Sequence, residues 1–168
     1  MAFYSNSSLV GVDLNNSSTT QLFALGTILS GSDGSIWQYV QAASTVSAYS
    51  VVVIGVSGSV QMMDQRAQAD ATAAWQLGVA QTTFAPSAYG WVPVHGVGGL
   101  NGPFKVKVSG SVSTGLMLYF GSGSGNVTIS ATTSATVAGI AVQTVMDTAS
   151  TAVTAAPCII TWPKSRTI

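Results

Sequence analysis

The chain has 168 residues, 47% of them hydrophobic, which suits a single folded domain with its own core and argues against wholesale disorder. Only 6% of the residues are charged, against roughly 25% in typical soluble proteins, and five basic residues balance five acidic ones. Because affinity for nucleic acid comes mainly from Lys and Arg, no nucleic-acid partner is expected. A neutral surface built from Ser, Thr, Asn and Gln suits a subunit of a larger assembly.

The first segment, residues 1–20, is rich in Ser and Asn and contains a short apolar island at Leu9–Leu14. This pattern predicts an extended N-terminal arm or an edge strand. The segment has neither a basic start nor an apolar core of the secretory type, so we expect no secretory signal. The longest tight apolar run, residues 51–56, is far shorter than the roughly 18 residues of a spanning helix, so no membrane partner is expected.

Residues 21–163 are predicted to form a single β domain. Segments rich in Val, Ile, Thr and aromatic residues alternate with clusters of Gly, Ser, Asn and Asp, which is typical of many short strands. The first strands are expected at 21–30, 36–42 and 48–63, with a glycine interruption in the last as a bulge or kink and Asp33-Gly34 as a hairpin turn between the first two.

The second half of the domain continues this pattern after one helical candidate. Residues 64–74 are alanine-rich and begin with Asp64 as a cap, so they could form a short helix or an exposed loop. "FKVKVSG", residues 104–110, alternates apolar and polar positions, as a strand with one buried face does. Residues 164–168 are predicted to be a tail. The predicted fold class is all-β, an antiparallel β-sandwich or barrel of about ten short strands with little helix.

The sequence offers no recognisable chemistry. "GSGSGN", residues 121–126, is not followed by Lys-Ser or Lys-Thr, so it is interpreted as a turn and not as a phosphate-binding loop. One His, one Cys and scattered Asp residues make no metal-ligand cluster. We therefore expect no catalytic residue, no metal and no cofactor. Cys158, within an apolar run, is interpreted as a small buried hydrophobic residue.

The only histidine, His95, ends the stretch "YGWVPVHG". Strand alternation places Trp91, Pro93 and His95 on one face, with Val92 and Val94 on the other. The proline indicates that this strand lies at a sheet edge or ends there, because proline cannot donate to a ladder. His95 is interpreted as a structural residue. A hydrolase that uses it as a base would also need an aspartate brought near it by the fold.

The large aromatic residues are the remaining candidates. They could form a platform for a sugar, or they could fill the core or a subunit contact, and we favour core and contact. Gly90 is expected to allow a close backbone approach between two flanking rings. The candidate structural or interface residues are Trp37, Tyr39, Trp75, Tyr89, Gly90 and Trp91.

Several short motifs between residues 22 and 142 resemble a group of small head proteins of tailed bacteriophages. These motifs are Leu25-Gly26-Thr27, Tyr39-Val40-Gln41-Ala42, Gly78-Val79-Ala80, Tyr89-Gly90-Trp91-Val92 and Gly139-Ile140-Ala141. The resemblance implies a mostly-β decoration or cement protein, without catalytic residues, that is made in the host cytoplasm and lies on the exterior of the virion capsid. It implies two partners, the major capsid protein and further copies of the chain itself, often as a homotrimer. This chain is unusual for such a protein in its near-absence of charge.

A β module that binds a receptor or a glycan on a phage tail or fibre is the alternative hypothesis. It requires Tyr89, Trp91 and His95 on an exposed concave face. A hydrolase based on His95 is the third.

Overall fold

The structure is a computed structural model that describes residues 8–9, 12–31, 33–63, 76–99, 102–110, 114, 118–120, 125–128, 135–143 and 153–167. The fold is all-β, as predicted, and the described residues include no helix. Their strands are β1 (Ser8–Leu9), β2 (Val12–Asp13), β3 (Ser17–Ser18), β4 (Ile28–Ser30), β5 (Ile36–Ala42), β6 (Val51–Ile54), β7 (Ser59–Met62), β8 (Gln76–Val79), β9 (Tyr89–Gly96), β10 (Gly98–Gly99), β11 (Gly102–Ser109), β12 (Leu118–Phe120), β13 (Val127–Thr128), β14 (Ala135–Val142) and β15 (Val153–Thr167). The helix considered for residues 64–74 lies outside the described residues, as does Trp75.

Five strands close into a barrel, and further strands lie outside it. Around the barrel, β11 pairs with β13, β13 with β12, β12 with β14 and β14 with β15, and β15 returns to β11. All of these pairings are antiparallel except β11 with β13, where Val108 lies opposite Val127. The predicted antiparallel arrangement therefore holds for most of the barrel.

The long strand β15 connects the barrel to the rest of the sheet. One edge of β15 pairs with β14. Along its other edge, β15 pairs first with β11, then with β9 at Ile160 and Thr161, and then with β8 at Lys164. The prediction of a tail at 164–168 is therefore wrong for residues 164–167, because these residues pair with the start of β14. Strand pairing overrides the weak strand propensity of the "PKSRT" segment.

Outside the barrel, the sheet continues from β9 through β5, β7 and β6 to β8. Both faces of this part are buried. On β5, Trp37 and Tyr39 belong to one hydrophobic cluster, while Val40 and Ala42 on the other face belong to a second. Burial on both faces explains the continuous apolar run of β6, all four residues of which are buried.

Two predicted alternations agree with the burial pattern. On β11, Phe104, Val106 and Val108 are buried while Lys105 is exposed. On β9, Trp91 belongs to the first cluster, and Val92 and Val94 belong to the second.

Glycine turns divide two of the predicted strand segments, and in 48–63 the turn stands where the sequence predicts a glycine bulge or kink. In 21–30 only β4 is a strand. The preceding chain turns at Gly26, whose φ is 82°, and the Thr27 N–H donates to the Ala24 carbonyl over 3.1 Å. The segment 48–63 divides into β6 and β7 at a turn where Gly58, with φ 76°, donates to the Gly55 carbonyl over 2.9 Å. Such splitting raises the number of strands above the predicted ten.

Candidate functional site

Two neighbouring strands bring the predicted aromatic residues together. Tyr39 on β5 lies directly opposite Trp91 on β9, and their ring centroids are 5.1 Å apart. Each of the two residues is 2% exposed. The strand register therefore places these rings in the core of a single chain, on the face that the alternation of β9 predicts for Trp91.

A third ring, Phe23, covers this pair. Its centroid lies 5.3 Å from Tyr39 and 5.3 Å from Trp91. The backbone N–H of Leu22 donates to the Tyr39 hydroxyl over 3.0 Å, which fixes the segment before β4 above the rings. Edge-to-face contacts of this kind are the favoured geometry of aromatic pairs.

Tyr89 extends the cluster towards solvent. Its ring is nearly parallel to that of Tyr39, with centroids 6.3 Å apart and an interplanar angle of 11°. The Gln41 side chain donates to the Tyr89 hydroxyl over 3.0 Å, and Tyr89 itself is half-buried. Tyr89 and Phe23 are thus the two half-buried rings of the cluster, and both line the cavity described below.

Gly90 brings the N-terminal segment against β9. A Cβ at this position would lie 2.6 Å from Cε1 of Phe84 and 3.1 Å from the Asn16 carbonyl oxygen. Only glycine leaves room for this approach, which lets Ser17 of β3 pair with Gly90. The Ser17 hydroxyl also donates to the Thr83 carbonyl over 3.2 Å. The close approach expected at Gly90 is therefore made by the segment that precedes the first long strand.

A cavity of about 170 Å³ lies between this N-terminal segment and the aromatic cluster. Its lining residues are Val12, Asp13, Asn16, Ser17, Ser18, Leu22, Phe23, Tyr39, Tyr89, Gly90 and Trp91. The wall from β5, β9 and Phe23 is aromatic, and the wall from the N-terminal segment carries short polar side chains. An aromatic wall that faces hydroxyl, amide and carboxylate groups is a typical composition of a small-molecule site.

Local turns hold the polar wall in place. One carboxylate oxygen of Asp13 accepts the N–H of Asn15 over 3.0 Å, and the Asn16 side-chain oxygen accepts the N–H of Ser17 over 2.9 Å. The Ser18 hydroxyl accepts the N–H of Thr20 over 3.0 Å. The contacts of Asp13 and Ser18 reach two residues along the chain, as in Asx and Ser/Thr turns, while that of Asn16 reaches the next residue. They leave the second oxygen of Asp13 and the amide group of Asn16 for a ligand.

The other predicted residues lie elsewhere. Trp37 packs edge-to-face on Phe104, with centroids 5.3 Å apart, and its indole N–H donates to the Ser35 hydroxyl over 3.1 Å. His95 lies at the far end of β9 opposite Thr161, and its ring is 6.0 Å from that of Trp162. The buried Nδ1 of His95 has no hydrogen-bond partner among the described residues. Trp37 and His95 are therefore not part of the cavity.

Neither metal chemistry nor thiol chemistry has a site in the described part of the chain. No group of three His, Cys, Asp or Glu side chains is close enough there to hold a metal ion. Cys158 is 0% exposed, and burial raises the pKa of its thiol from 9.0 to about 12. The thiol is therefore protonated at neutral pH and behaves as the small hydrophobic residue that the sequence predicts.

Two features of the surface were not predicted from sequence. Asp13 and Asn16 form the polar wall, although "DLNNSS" indicates only turn chemistry. Trp162 is 44% exposed and has a φ of 48°, opposite a bulge at Gly139 in β14. The positive φ of a large residue has no signal in a single sequence.

The described residues contain no helix that is long and apolar enough to cross a membrane. No protein-family model, no curated protein and no solved structure matches the chain.

Proposed function

We propose that this chain is a capsid decoration protein, a cement protein that binds the exterior of a tailed-phage head. In this proposal it contacts the major capsid protein and further copies of itself, as a trimer. The observation that carries the proposal is an almost uncharged chain that leaves large apolar side chains in solvent. Among the described residues, the exposed large apolar ones are Leu22, Ile28, Val56, Val97 and Trp162.

Low charge favours burial of this surface in an assembly. The chain has five basic and five acidic residues in 168, so few charges would have to be stripped of water in a large contact. Desolvation of an unpaired charge is among the largest costs of forming an interface. Exposed apolar groups that become buried contribute roughly 25 cal/mol per Å². Surface composition therefore supports a structural role over an enzymatic one.

A sheet edge offers a second means of attachment. Among the described strands, β4 pairs only with β5, which leaves its other edge without a strand partner. An open edge can accept an extended segment of a neighbouring chain through backbone hydrogen bonds. Ile28 on β4 is half exposed and would add an apolar contact beside such a segment.

Trp162 is the best anchor for a protein contact. Its positive φ is held by the bulge opposite, where a Cβ on Gly139 would lie 2.6 Å from the Thr161 carbonyl oxygen and 2.9 Å from Cα of Pro163. A large residue in this backbone region is strained, and such strain is concentrated at functional positions. Tryptophan is also enriched among the residues that dominate binding energy.

The alternative, an exposed aromatic platform for glycans on a tail or fibre, has less support. It requires Tyr89, Trp91 and His95 together on an open concave face. Trp91 is 2% exposed and is enclosed by neighbouring rings, and His95 contacts Trp162 at the other end of β9. An open platform of these three residues is therefore not the geometry of this chain.

The test compares phage particles that lack the protein with complete ones. If the protein is a cement, heads without it break at lower temperature or on dilution into low salt, while adsorption to the host is unchanged. Adding back wild-type protein restores the heads, and cryo-electron microscopy locates it on the capsid exterior. We expect Trp162→Ala to restore them less well than Gln61→Ala, a control at an exposed position on β7. Lost adsorption with stable heads would instead favour the tail or fibre alternative.

A further inference from the structure

We propose that the cavity between the N-terminal segment and strands β5 and β9 binds one neutral pyranose ring of a saccharide. This site opens to solvent and shares Leu22 with the exposed apolar residues named above, but sugar binding does not require a capsid.

The size of the cavity sets the size of the ligand. Its volume is about 170 Å³. In another protein, an engineered cavity of about 150 Å³ binds benzene, so this one holds roughly a single six-membered ring. Pockets for drug-sized ligands are larger, about 300–1,000 Å³. The structure therefore selects a terminal sugar or one residue of a chain, with the rest of the saccharide outside.

The aromatic wall fits the apolar face of a pyranose. Tyr39 and Tyr89 lie nearly parallel, 11° apart, and both line the cavity. The face of an aromatic ring carries partial negative charge and attracts the polarised C–H groups on one face of a sugar. Since Tyr89 is half-buried while Tyr39 is enclosed, we assign the stacking contact to Tyr89.

The polar groups fit the hydroxyls of a pyranose. The hydroxyls of Tyr39 and Tyr89 each accept one N–H from the protein, from Leu22 and Gln41, so each O–H can donate to a ligand. Asp13 has a second carboxylate oxygen that can accept from a sugar hydroxyl, and such charge-assisted hydrogen bonds are the strong ones. Among the described residues that line the cavity, Asp13 alone is charged, so an anionic sugar would be repelled and a neutral one is preferred.

The packing of the rings argues against an organic cation as the ligand. A cation site needs several aromatic faces directed at one point. Here Phe23, Tyr39 and Trp91 direct their faces and edges at one another, with centroids 5.1 to 5.3 Å apart. The rings therefore form one wall of the cavity and do not surround a point at which a cation could bind.

Binding is tested on the whole chain with methyl glycosides of glucose, galactose and N-acetylglucosamine as probes. Tetramethylammonium is the competing probe. Titration calorimetry and saturation-transfer NMR are expected to show at least one glycoside with a Kd near the millimolar range, as for a ligand of this size. Absence of glycoside binding at about tenfold higher concentration, or binding of tetramethylammonium alone, would overturn the proposal.

Substitutions at the cavity locate the site. Asp13→Asn keeps the size of the side chain and is expected to weaken glycoside binding at least about tenfold, as is Tyr89→Ala. Asn15→Ala and Trp162→Ala are matched controls outside the cavity and should leave the Kd unchanged. Thermal unfolding establishes that each variant is folded. Unchanged Kd values in both cavity variants would contradict the proposal.

A crystal structure of the wild-type protein soaked in the tightest-binding glycoside tests the same site without a substitution. Electron density for the sugar ring beside Tyr89 supports the proposal, and density at another place contradicts it. Since Trp162→Ala tests capsid attachment and Asp13→Asn tests sugar binding, failure of one proposal is distinguishable from failure of the other.

Discussion

The side chain of Gln81 pairs with the backbone of Lys105 as a neighbouring strand would. Its Nε2 donates to the Lys105 carbonyl over 3.1 Å, and its Oε1 accepts the Lys105 N–H over 3.0 Å. Two residues further on, the Lys107 N–H donates to the Tyr49 carbonyl over 2.7 Å. On the edge of β11 that faces away from β15, one side chain and one loop carbonyl therefore continue the pairing that β13 makes at Val108, and they satisfy backbone groups that would otherwise be open.

Replacing Gln81 with Ala should remove both of these hydrogen bonds. We expect a loss of about 1–2 kcal/mol in the free energy of unfolding, since water can replace part of each bond at this exposed position. Urea unfolding measures the loss, and hydrogen exchange of the Lys105 amide should become faster. Gln61→Ala, at an exposed position on β7, is the control and should change neither quantity. An unchanged exchange rate of the Lys105 amide would show that the two hydrogen bonds from Gln81 do not protect this edge of β11.

The contribution of Gln81 illustrates which parts of the fold a sequence can predict. Alternation in residues 104–110 predicts which side chains of β11 are buried, because the period of two is local. The pairing of Gln81 with Lys105 spans 24 residues and depends on where a loop passes the sheet. The same holds for residues 164–167, whose strand conformation comes from pairing with β14 and not from their own propensity.

The candidate site, like the fold, was predictable from the sequence only in part. Its aromatic wall comes largely from Tyr39 in "YVQA" and from the two rings of "YGWV", which are separated by one residue and therefore share a face. Its polar wall comes from "DLNNSS", a composition found in most surface turns. Nothing local indicates that this turn passes over the rings, because the approach depends on the missing Cβ at Gly90 and on Phe84 beyond it.

Gly90→Ala tests that close approach. The new Cβ would lie 2.6 Å from Cε1 of Phe84, which is fully buried, and 3.1 Å from the Asn16 carbonyl. Neither group has room to withdraw, so we expect a loss of about 1–3 kcal/mol in the free energy of unfolding, as for other overpacked cores. Denaturant titration measures it. Gly55→Ala is the control, because its nearest contact would be 3.4 Å from the Ser59 carbonyl oxygen.

A second substitution distinguishes the two contacts of Gly90. If the ring of Phe84 is the main obstacle, Phe84→Leu should offset part of the loss, and the double variant should be more stable than the sum of the single changes predicts. If the Asn16 carbonyl is the main obstacle, the two changes should add. Additive behaviour would place the strain at the contact with the N-terminal segment.

Trp91→Ala tests the aromatic core. The side chain is 2% exposed and packs against Phe23 and Tyr39, so truncation should cost about 3–5 kcal/mol in the free energy of unfolding. Trp162→Ala removes the same side chain at a position that is 44% exposed, and we expect a change of less than about 1 kcal/mol. Chemical denaturation of both variants gives the comparison. A Trp91→Ala protein as stable as Trp162→Ala would contradict the assignment of Trp91 to the core.

The buried thiol of Cys158 should make stability depend on pH above neutrality. Burial raises the pKa of this thiol from 9.0 to about 12, so the unfolded chain loses the proton at lower pH than the folded one. The contribution to stability is complete below pH 9 and is lost as the pH rises towards 12, with a slope of at most about 1.4 kcal/mol per pH unit. Urea unfolding at a series of pH values measures this slope.

Cys158→Ala isolates the contribution of the thiol to this pH dependence. The variant should be less stable than the wild type at neutral pH, because it leaves a small cavity where the sulfur was. Its disadvantage should shrink as the pH rises above 9, since only the wild type loses the thiol contribution. In the same samples, a thiol reagent should label native protein only at the rate of unfolding. Rapid labelling at neutral pH, or a constant difference between the two proteins across the pH series, would mean that Cys158 is accessible to solvent.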